Sequence, residues 1–342
     1  MNNPSIQDPK LKSSKKLNKD NTVTLILVIA ILVVSAVIGW LVYKPKLSDF
    51  SPKNIIISGP DLEFKFAIGG DSSKTETRMS GPMGVDIADN GDIYVADTLN
   101  SLVKVFDREG KFNNSFGGKN LFYLPSDLVV SGGSVYVVDG KNSRIQVFDL
   151  NGKFRKTFAG PEIGKKIGAW IPAAITINSK GDIYATDIFY HRVIVFDKDG
   201  QIKNHFGAPG NGRGQLSYPN GIALDKAGNV YVADSNNGRI QVFDAGGKFI
   251  NTLNKNDEKV LFSMPRGIAF GRKNYLYVAE TFMHRLAIPE VNKDRVDNTI
   301  TVGNRGVGNG EMNFPNDVAI KQNILAVADR ANNRILVYSV DE

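Results

Sequence analysis

The chain of 342 residues contains no cysteine and only three histidines. Without cysteine the protein can form no disulfide bond, no thiolate metal site and no cysteine nucleophile. Three histidines leave little material for a metal site built from imidazole ligands. Hydrophobic residues nevertheless make up 42% of the chain, which is enough for a packed core and excludes disorder of the whole chain.

The formal net charge of +7 is distributed unevenly along the chain. Residues 1–46 contain seven lysines and two aspartates, a net charge of +5, which leaves only +2 for the remaining 296 residues. A basic protein can bind nucleic acid or an acidic surface. Because most of the excess charge lies near the N-terminus, the sequence argues against a nucleic-acid partner for the rest of the chain.

A long uncharged segment, residues 22–43, follows the basic N-terminus. As a helix its 22 residues would extend about 33 Å, enough to cross the hydrocarbon core of a membrane. Trp40 and Tyr43 lie at its distal end, where aromatic rings favour the interface. A cleavable signal peptide is the alternative, but its apolar region is usually shorter and ends in small residues. We therefore predict an uncleaved transmembrane helix over 22–43.

The lysines on either side of this segment predict its orientation. Five lysines precede it and three, at 44, 46 and 53, follow it. The positive-inside rule then places residues 1–21 in the cytoplasm as a basic tail. Residues 44–60 become a linker on the extracytoplasmic side, and the predicted localisation is the cell membrane, crossed once.

Six similar segments fill the remainder of the chain, and their initial prolines lie 43 to 50 residues apart. Each segment reads as short alternating strands separated by turns that contain Gly, Asp or Asn. A period of 40–50 residues of this kind is typical of a β-propeller with one four-stranded blade per repeat. The segments are 82–107, 125–149, 172–197, 219–244, 265–290 and 315–339.

The sixth segment ends without an outer fourth strand, whereas a matching piece lies before the first segment. Residues 62–70 (LEFKFAIGG) are similar to 110–118 (GKFNNSFGG), the fourth strand of the first repeat. We therefore expect the N-terminal strand to complete the last blade and remove its open edge. The fold class is all-β, a six-bladed propeller over residues 61–342, preceded by one transmembrane helix.

The repeat resembles the NHL family of six-bladed β-propellers. The fourth segment, PNGIALDKAGNVYVADSNNGRIQVFD (219–244), follows that pattern almost throughout. The resemblance implies the fold, but it leaves function open, since the family includes modules that bind proteins, RNA or small ligands and a few lyases. Some of those lyases hold a metal with histidines from different blades.

An acidic residue ends the second strand of every repeat, and an arginine follows five residues later in all but the first, where Leu102 stands. Because the pair recurs in almost every blade, we interpret it as part of the scaffold rather than as an active site. The pairs are Asp139 and Arg144, Asp187 and Arg192, Asp234 and Arg239, Glu280 and Arg285, and Asp329 and Arg334, with Asp97 alone in the first repeat.

Two loops depart from the polar pattern between the second and third strands, in the third and fifth repeats. Their large side chains are typical of a protein-binding surface, although the rings could instead pack against their own connectors. Blades three and five are not adjacent, and a third histidine ligand is missing, so we do not predict a histidine metal site. The candidate partner-binding residues are Trp170, Phe189, Tyr190, His191, Phe282, Met283 and His284.

Polar residues follow the initial prolines of several repeats and should converge at the mouth of the central channel. Oxygen ligands of this kind suit a hard cation such as calcium, whereas solvated groups lining a water-filled channel are the simpler interpretation. No catalytic group stands apart from the repeat pattern. The candidate channel-mouth residues are Asp127, Asn220, Arg266, Asn316 and Asp317.

Together these patterns favour a membrane-tethered, extracytoplasmic binding or scaffold module that uses one face of its loops. Its expected partner is another protein or a component of the cell envelope. The alternative is an enzyme, a metal-dependent lyase or lactone hydrolase, with a divalent ion at the channel mouth and an exported substrate.

Overall fold

The computed structural model describes residues 59–70, 73–256, 259–292 and 295–341. The predicted cytoplasmic tail (1–21), transmembrane helix (22–43) and nearly all of the predicted linker lie outside the described residues. Within the described ranges, no helix is long and apolar enough to cross a membrane.

The chain forms six four-stranded antiparallel sheets, the blades, and the first strand in the chain, β1 (Asp61–Gly69), belongs to the last of them. Blade one comprises β2 (Gly84–Ile87), β3 (Ile93–Asp97), β4 (Leu102–Phe106) and β5 (Phe112–Gly117). Blade two comprises β6 (Asp127–Ser131), β7 (Ser134–Asp139), β8 (Arg144–Asp149) and β9 (Phe154–Ala159). Blade three comprises β10 (Pro172–Ile177), β11 (Ile183–Asp187), β12 (Arg192–Phe196) and β13 (Ile202–Phe206).

The other three blades repeat this order, with two short strand pairs between them. The pair β14 (Ala208–Pro209) and β15 (Gln215–Leu216) precedes blade four, which comprises β16 (Pro219–Leu224), β17 (Val230–Asp234), β18 (Arg239–Phe243) and β19 (Phe249–Leu253). The pair β20 (Lys255–Asn256) and β21 (Lys259–Val260) precedes blade five, which comprises β22 (Pro265–Phe270), β23 (Leu276–Glu280), β24 (Arg285–Asn292) and β25 (Arg295–Val302). Blade six comprises β26 (Pro315–Lys321), β27 (Ile324–Asp329), β28 (Arg334–Asp341) and β1.

The first strand of each blade lies at the centre, and these inner strands contact one another in the closed cycle β2, β6, β10, β16, β22, β26 and back to β2. Six hydrophobic clusters lie among the described residues, and each joins two neighbouring blades. The apolar side chains of every blade are therefore buried against the next blade, which explains why the second strands are rich in β-branched and aromatic residues. The six-bladed propeller predicted from the repeat is confirmed.

The outer strand of blade six comes from the start of the described chain. β1 pairs antiparallel with β28, with Asp61 opposite Asp341 and Gly69 opposite Arg334. The pairing confirms that an N-terminal strand completes the last repeat. It also removes the unpaired edge that β28 would otherwise expose.

Short helices lie at the same end of the blades as the connectors between them. Blade three has a turn after its second strand, where each of the other blades has a short helix. The connector before blade three contains a 3-10 helix, Pro161–Ile163, and the one-turn helix α1 (Gly164–Ile167). In the other five blades a 3-10 helix of three residues follows the second strand, at Thr98–Asn100, Gly140–Asn142, Ser235–Asn237, Thr281–Met283 and Arg330–Asn332.

Candidate binding face and central channel

The loops between second and third strands meet the connectors between blades, and together they form one end of the propeller, here called the loop face. Backbone hydrogen bonds join the two sets, for example from Leu99 N to Ser80 O at 3.1 Å and from Ile188 N to Ile171 O at 3.0 Å. The loop face is therefore built from ordered backbone, which holds its side chains in fixed positions.

The recurring acidic residue and arginine fix this face, as expected of scaffold residues. In four blades the arginine Nε donates to the buried aspartate at 2.7–2.9 Å. The same guanidinium also donates to a connector carbonyl, as Arg144 Nη2 does to Leu121 O at 2.7 Å and Arg192 Nη2 to Ile167 O at 2.9 Å. Each pair thus ties its blade to the preceding connector.

Blade one replaces the arginine in a way that the sequence pattern did not predict. Leu102 occupies the arginine position, and Lys104 on the same strand supplies the cation instead. Its Nζ lies 3.7 Å from the Asp97 carboxylate and donates to the carbonyls of Glu76 and Arg78 in the connector. The scaffold contact is retained by a residue two positions further along the strand.

Blade five has glutamate at the acidic position. Glu280 is completely buried, and its carboxylate accepts a hydrogen bond from Ser263 N at 2.8 Å, while Oε1 has no hydrogen-bond partner. Burial raises the pKa of Glu280 to about 7. The longer side chain therefore keeps the bond to its connector and remains a scaffold group.

Phe189 and Tyr190 are the predicted partner-binding residues that are exposed on the loop face, at 49% and 42%. Their rings meet edge to face with centroids 4.9 Å apart. The Arg192 guanidinium lies 4.9 Å from the Tyr190 ring centroid, and Tyr190 also packs over Gly168 of the connector. Both rings are therefore exposed, and Arg192 and Gly168 support the ring of Tyr190 on its protein side.

Three other predicted contact residues are buried or half-buried. Trp170 is only 2% exposed, donates from Nε1 to Gly160 O at 3.3 Å and packs against Phe196. The expectation that Trp170 contributes to an exposed surface is wrong, because the long connector folds over the indole and places it in the core between blades two and three. Phe282 and Met283 are half-buried, and Phe282 packs edge to face on Phe314 of the next connector.

The two loop histidines perform a backbone role. Nδ1 of His191 accepts a hydrogen bond from Tyr218 N at 2.9 Å, and Nδ1 of His284 accepts one from Phe314 N at 3.1 Å. In blade six the side-chain oxygen of Asn333 accepts the equivalent bond from Gly81 N at 2.8 Å. All three residues have positive φ, between 52° and 54°. The histidines link one blade to the next.

The predicted channel-mouth residues stand at the loop-face end of the inner strands, and two of them, Arg266 and Asn316, are in direct contact. Arg266 Nη1 donates to Asn316 Oδ1 at 3.1 Å, and Asn316 Nδ2 donates to Met83 O at 2.8 Å. These bonds join blades five, six and one. Asn220 turns back to its own connector and donates to Tyr218 O at 2.9 Å.

Asp127 and Asp317 stand one residue further along their inner strands than Asn220, Arg266 and Asn316 do, and they lie deeper in the channel. Each uses one carboxylate oxygen to accept a backbone amide of the next blade, Ile175 N at 2.8 Å and Val85 N at 2.9 Å. Burial raises the pKa of Asp317 to about 7. Burial, with a smaller contribution from the charge of Asp317, also raises the pKa of Asp127 well above its usual range.

Asp86 is a third channel carboxylate that sequence analysis missed. Its Oδ2 accepts Val130 N of blade two at 2.7 Å, and burial raises its pKa to about 6. Together with Asp127 and Asp317 it lines a cavity of about 180 Å³, whose other lining residues are mostly aliphatic. The signal was available, since blade one alone has an acidic residue at this position of the inner strand, where the other blades have Val129, Thr176, Ala223, Ala269 and Ala319.

These carboxylates do not form an evident metal centre. Within the described part of the chain, no group of three or more His, Asp or Glu side chains is placed to hold a metal ion. The oxygens of Asp86, Asp127 and Asp317 are instead directed at backbone amides. The nearby guanidinium of Arg266 also disfavours a divalent cation at the mouth, because like charges repel.

Six four-stranded blades around a polar channel define a β-propeller with an ordered loop face. Three segments match the NHL repeat model, at residues 79–106, 122–148 and 216–243. These matches and the arrangement of six blades support the NHL propeller family.

Solved structures of diverse function share the fold. One is virginiamycin B lyase from Staphylococcus aureus, at 15% identity over 82% of this chain and 99% of that chain, with a TM-score of 0.57. A chain of a nidogen/laminin complex is 15% identical over 71% and 93%, with a TM-score of 0.54. A PQQ-bound aldose sugar dehydrogenase from Streptomyces coelicolor is 13% identical over 83% and 99%, with a TM-score of 0.56.

No curated protein matches the chain in sequence. At these identities the structural matches carry information about the fold alone. Function must be argued from the loop face and the channel themselves.

Proposed function

We propose that this chain is a membrane-tethered, extracytoplasmic binding module whose loop face contacts another protein or a component of the cell envelope. One observation carries the proposal. Of the large hydrophobic side chains exposed in the described residues, most lie on the loop face, and only Leu150, Phe154 and Ile250 lie elsewhere. Those of the loop face are Leu99, Tyr123, Phe189, Tyr190 and Val307.

Phe189 and Tyr190 have the properties of an interface anchor. Aromatic residues contribute large contact areas and are enriched among the residues that dominate binding energy. The contacts of Tyr190 with Arg192 and Gly168 restrict its rotamers before binding. Restricted side chains lose less entropy on association, so these rings are suited to bind without rearrangement.

The aromatic pair can be tested once its partner is identified by crosslinking from an unnatural photoreactive residue at position 189 in intact cells. The affinity of the purified partner is then compared between the parent chain and the double variant Phe189→Ser, Tyr190→Ser. We expect the double variant to bind at least about tenfold more weakly, as anchors at the centre of an interface do.

A matched control is Phe154→Ser, which removes an exposed ring (47% exposed) from an outer strand instead of the loop face. This variant should bind like the parent chain. Equal affinity of the parent and the double variant, with both folded by circular dichroism, would contradict the assignment of the loop face.

The tether rests on residues 22–43 and the lysine bias around them, and the absence of native cysteine permits a direct test. Single cysteines are introduced as Ser5→Cys in the tail and Lys141→Cys on the propeller. In intact cells a membrane-impermeant maleimide should label only position 141. Labelling of position 5 alone would invert the proposed topology, and recovery of the chain in the soluble fraction would refute the tether.

A further inference from the structure

Arg266 is an arginine in an unusual environment at the channel mouth. It lies directly after Pro265 at the start of β22 and is half-buried. Nη1 donates to Asn316, whereas Nε has neither a hydrogen-bond partner nor contact with solvent. Among the described residues, no carboxylate forms an ion pair with Arg266. Within the described residues, the side-chain hydrogen bond of this half-buried cation is therefore made to a neutral amide, and its Nε is shielded from water.

The contrast with the four arginines that form ion pairs with the buried aspartates makes this position informative. Arg144, Arg192, Arg239 and Arg334 each place Nε on a completely buried aspartate. Arg266 has no such counter-charge. Burial and the nearby charge of Arg330 lower the pKa of Arg266 to about 10, so the guanidinium is still charged at neutral pH. Holding an unpaired charge away from water is costly, and an external anion would relieve that cost.

Two further arginines extend the positive charge across the loop face of blades five and six. Arg330 begins the 3-10 helix of blade six and is exposed. Arg305 is exposed in the connector before blade six. Burial lowers the pKa of His284, and the nearby charge of Arg305 lowers it further. Within the described chain, neither forms an ion pair. We call Arg266, Arg305 and Arg330 the arginine cluster.

Two acidic groups near this cluster are already engaged. Glu311, in the same connector as Arg305, accepts hydrogen bonds from Gly308 N at 2.8 Å and from Asn304, and the charge close to it is that of Arg334. Asp317 lies deeper in the channel and directs an oxygen at Val85 N. No side chain of the described residues therefore neutralises the cluster.

We infer that the arginine cluster binds a carboxylate of an acidic peptide segment in the partner, with Arg266 receiving the carboxylate at the channel mouth. This inference rests on the proposed function and names the chemistry that its partner would present. Val307, 76% exposed in the same connector, gives the segment an apolar neighbour. Residues 47–342 carry a net charge of only +2, which favours a peptide partner over a nucleic-acid backbone, whose binding depends on many cationic contacts.

The probe is a fluorescein-labelled hexapeptide of alternating glutamate and serine, with a glutamine-serine peptide as its neutral counterpart. Binding to the full-length protein is followed by fluorescence anisotropy at low ionic strength. We expect Arg266→Met and Arg330→Gln each to weaken binding of the glutamate peptide at least about fivefold, as the loss of one partner of an interfacial charge pair does.

Arg213→Gln is the matched control, because Arg213 is exposed in the connector before blade four and also forms no ion pair in the described residues. The control should bind the glutamate peptide like the parent chain. The melting temperature of Arg266→Met should be unchanged or raised, since the substitution removes an unpaired buried cation. This measurement shows that lost binding does not reflect unfolding.

Four results would overturn the inference. They are unchanged binding in Arg266→Met, equal binding of the glutamine peptide, equal weakening in Arg213→Gln, and tighter, Arg266-dependent binding of a single-stranded hexauridylate. Failure here is distinguishable from failure of the proposed function. If Phe189→Ser, Tyr190→Ser abolishes binding of the partner but Arg266→Met does not, the loop face remains the interface and only the role of the arginine cluster is wrong.

Discussion

At the scale of single residues, the substitution of arginine by leucine in blade one is compensated within the same strand. Lys104 reaches the Asp97 carboxylate and two connector carbonyls from the position that Gln146 and Gln241 occupy in blades two and four. Lys104 is 4% exposed, so its charge is buried together with that of Asp97. The cation of this pair has therefore moved by two residues while its contacts remained.

This arrangement predicts that Lys104→Gln destabilises the propeller. The variant leaves Asp97 buried without a cation, which should lower the free energy of unfolding by about 3 kcal/mol. Adding Leu102→Arg restores the Arg-x-Gln sequence of blades two and four and should recover most of the loss. Urea unfolding at pH 7 measures both. A double variant less stable than Lys104→Gln would show that the two cations are not equivalent.

The loop histidines predict an acid sensitivity of stability. Burial lowers the pKa of both His191 and His284 from the ordinary value of 6.5, and each Nδ1 must be unprotonated to accept a hydrogen bond from a backbone amide. As the pH falls, the histidines of the unfolded chain therefore bind protons before those of the folded chain do. The contribution of the two histidine hydrogen bonds to stability is complete above pH 6.5 and is lost as the pH falls through the folded pKa values. Each lost hydrogen bond should cost about 1 kcal/mol.

The double variant His191→Asn, His284→Asn isolates this effect, because Asn333 shows that asparagine accepts the same bond without titrating. We expect its free energy of unfolding to fall less than that of the parent between pH 6.5 and pH 5. Parallel stability profiles for the two proteins would mean that the histidines do not need their unprotonated form.

At the scale of elements, β1 completes blade six and also packs against blade one, so it joins the two ends of the ring. Phe66 of β1 packs on Gly110 in the outer hairpin of blade one, where an added Cβ would lie 2.6 Å from the ring. Phe116 packs in the same way on Gly152 of blade two. Gly110 has φ of +81°, a conformation that glycine adopts without strain. β1 therefore makes towards blade one the contact that β5 makes towards blade two.

Removal of β1 should consequently destabilise the whole propeller. A chain that begins at residue 71 lacks the strand, whereas a chain that begins at residue 59 retains it and serves as the control. We expect one cooperative thermal transition for each, at a temperature lower by about 10 °C or more without β1, because loss of the strand that completes blade six and contacts blade one costs several kcal/mol. Coincident transitions would show that closure by β1 contributes no stability.

The strands of the blades were predictable from the sequence because the same pattern of residues recurs in six repeats. Alternating apolar residues, a turn with glycine and an acid-arginine pair specify each blade, and the similarity of 62–70 to 110–118 identified β1. The position of Trp170 was predicted wrongly because its connector contains a 3-10 helix and the helix α1, which have no counterpart in the repeat. Contacts that depend on side-chain reach across strands, such as that of Lys104 with Asp97, leave no periodic pattern.

At the scale of the whole molecule, three channel carboxylates connect four consecutive blades. Asp317 accepts an amide of blade one, Asp86 an amide of blade two and Asp127 an amide of blade three. The pKa values of all three are raised by burial first, and repulsion from neighbouring channel carboxylates adds to the effect at Asp127 and Asp317. At high pH these buried carboxyl groups lose their protons, so the contacts that join the four blades are less favourable there.

This cost makes stability depend on pH in the opposite direction to the histidines. The folded chain binds a proton at Asp317 with a pKa of about 7, far above the ordinary value of 3.8. Folding therefore takes up a proton between those values, and this contribution to stability increases as the pH falls from 8 towards 4. Asp317→Asn removes the titration, and its amide oxygen can still accept Val85 N.

We expect Asp317→Asn to be more stable than the parent at pH 8 and to lose that advantage by pH 5, where the parent carboxyl is itself neutral. Asp199→Asn, which removes an exposed carboxylate paired with Lys198, is the control and should leave the slope unchanged. Free energies of unfolding in urea at half-unit pH intervals give both slopes. If Asp317→Asn destabilises the propeller equally at pH 8 and pH 5, Asp317 acts as a hydrogen-bond acceptor whose charge costs nothing.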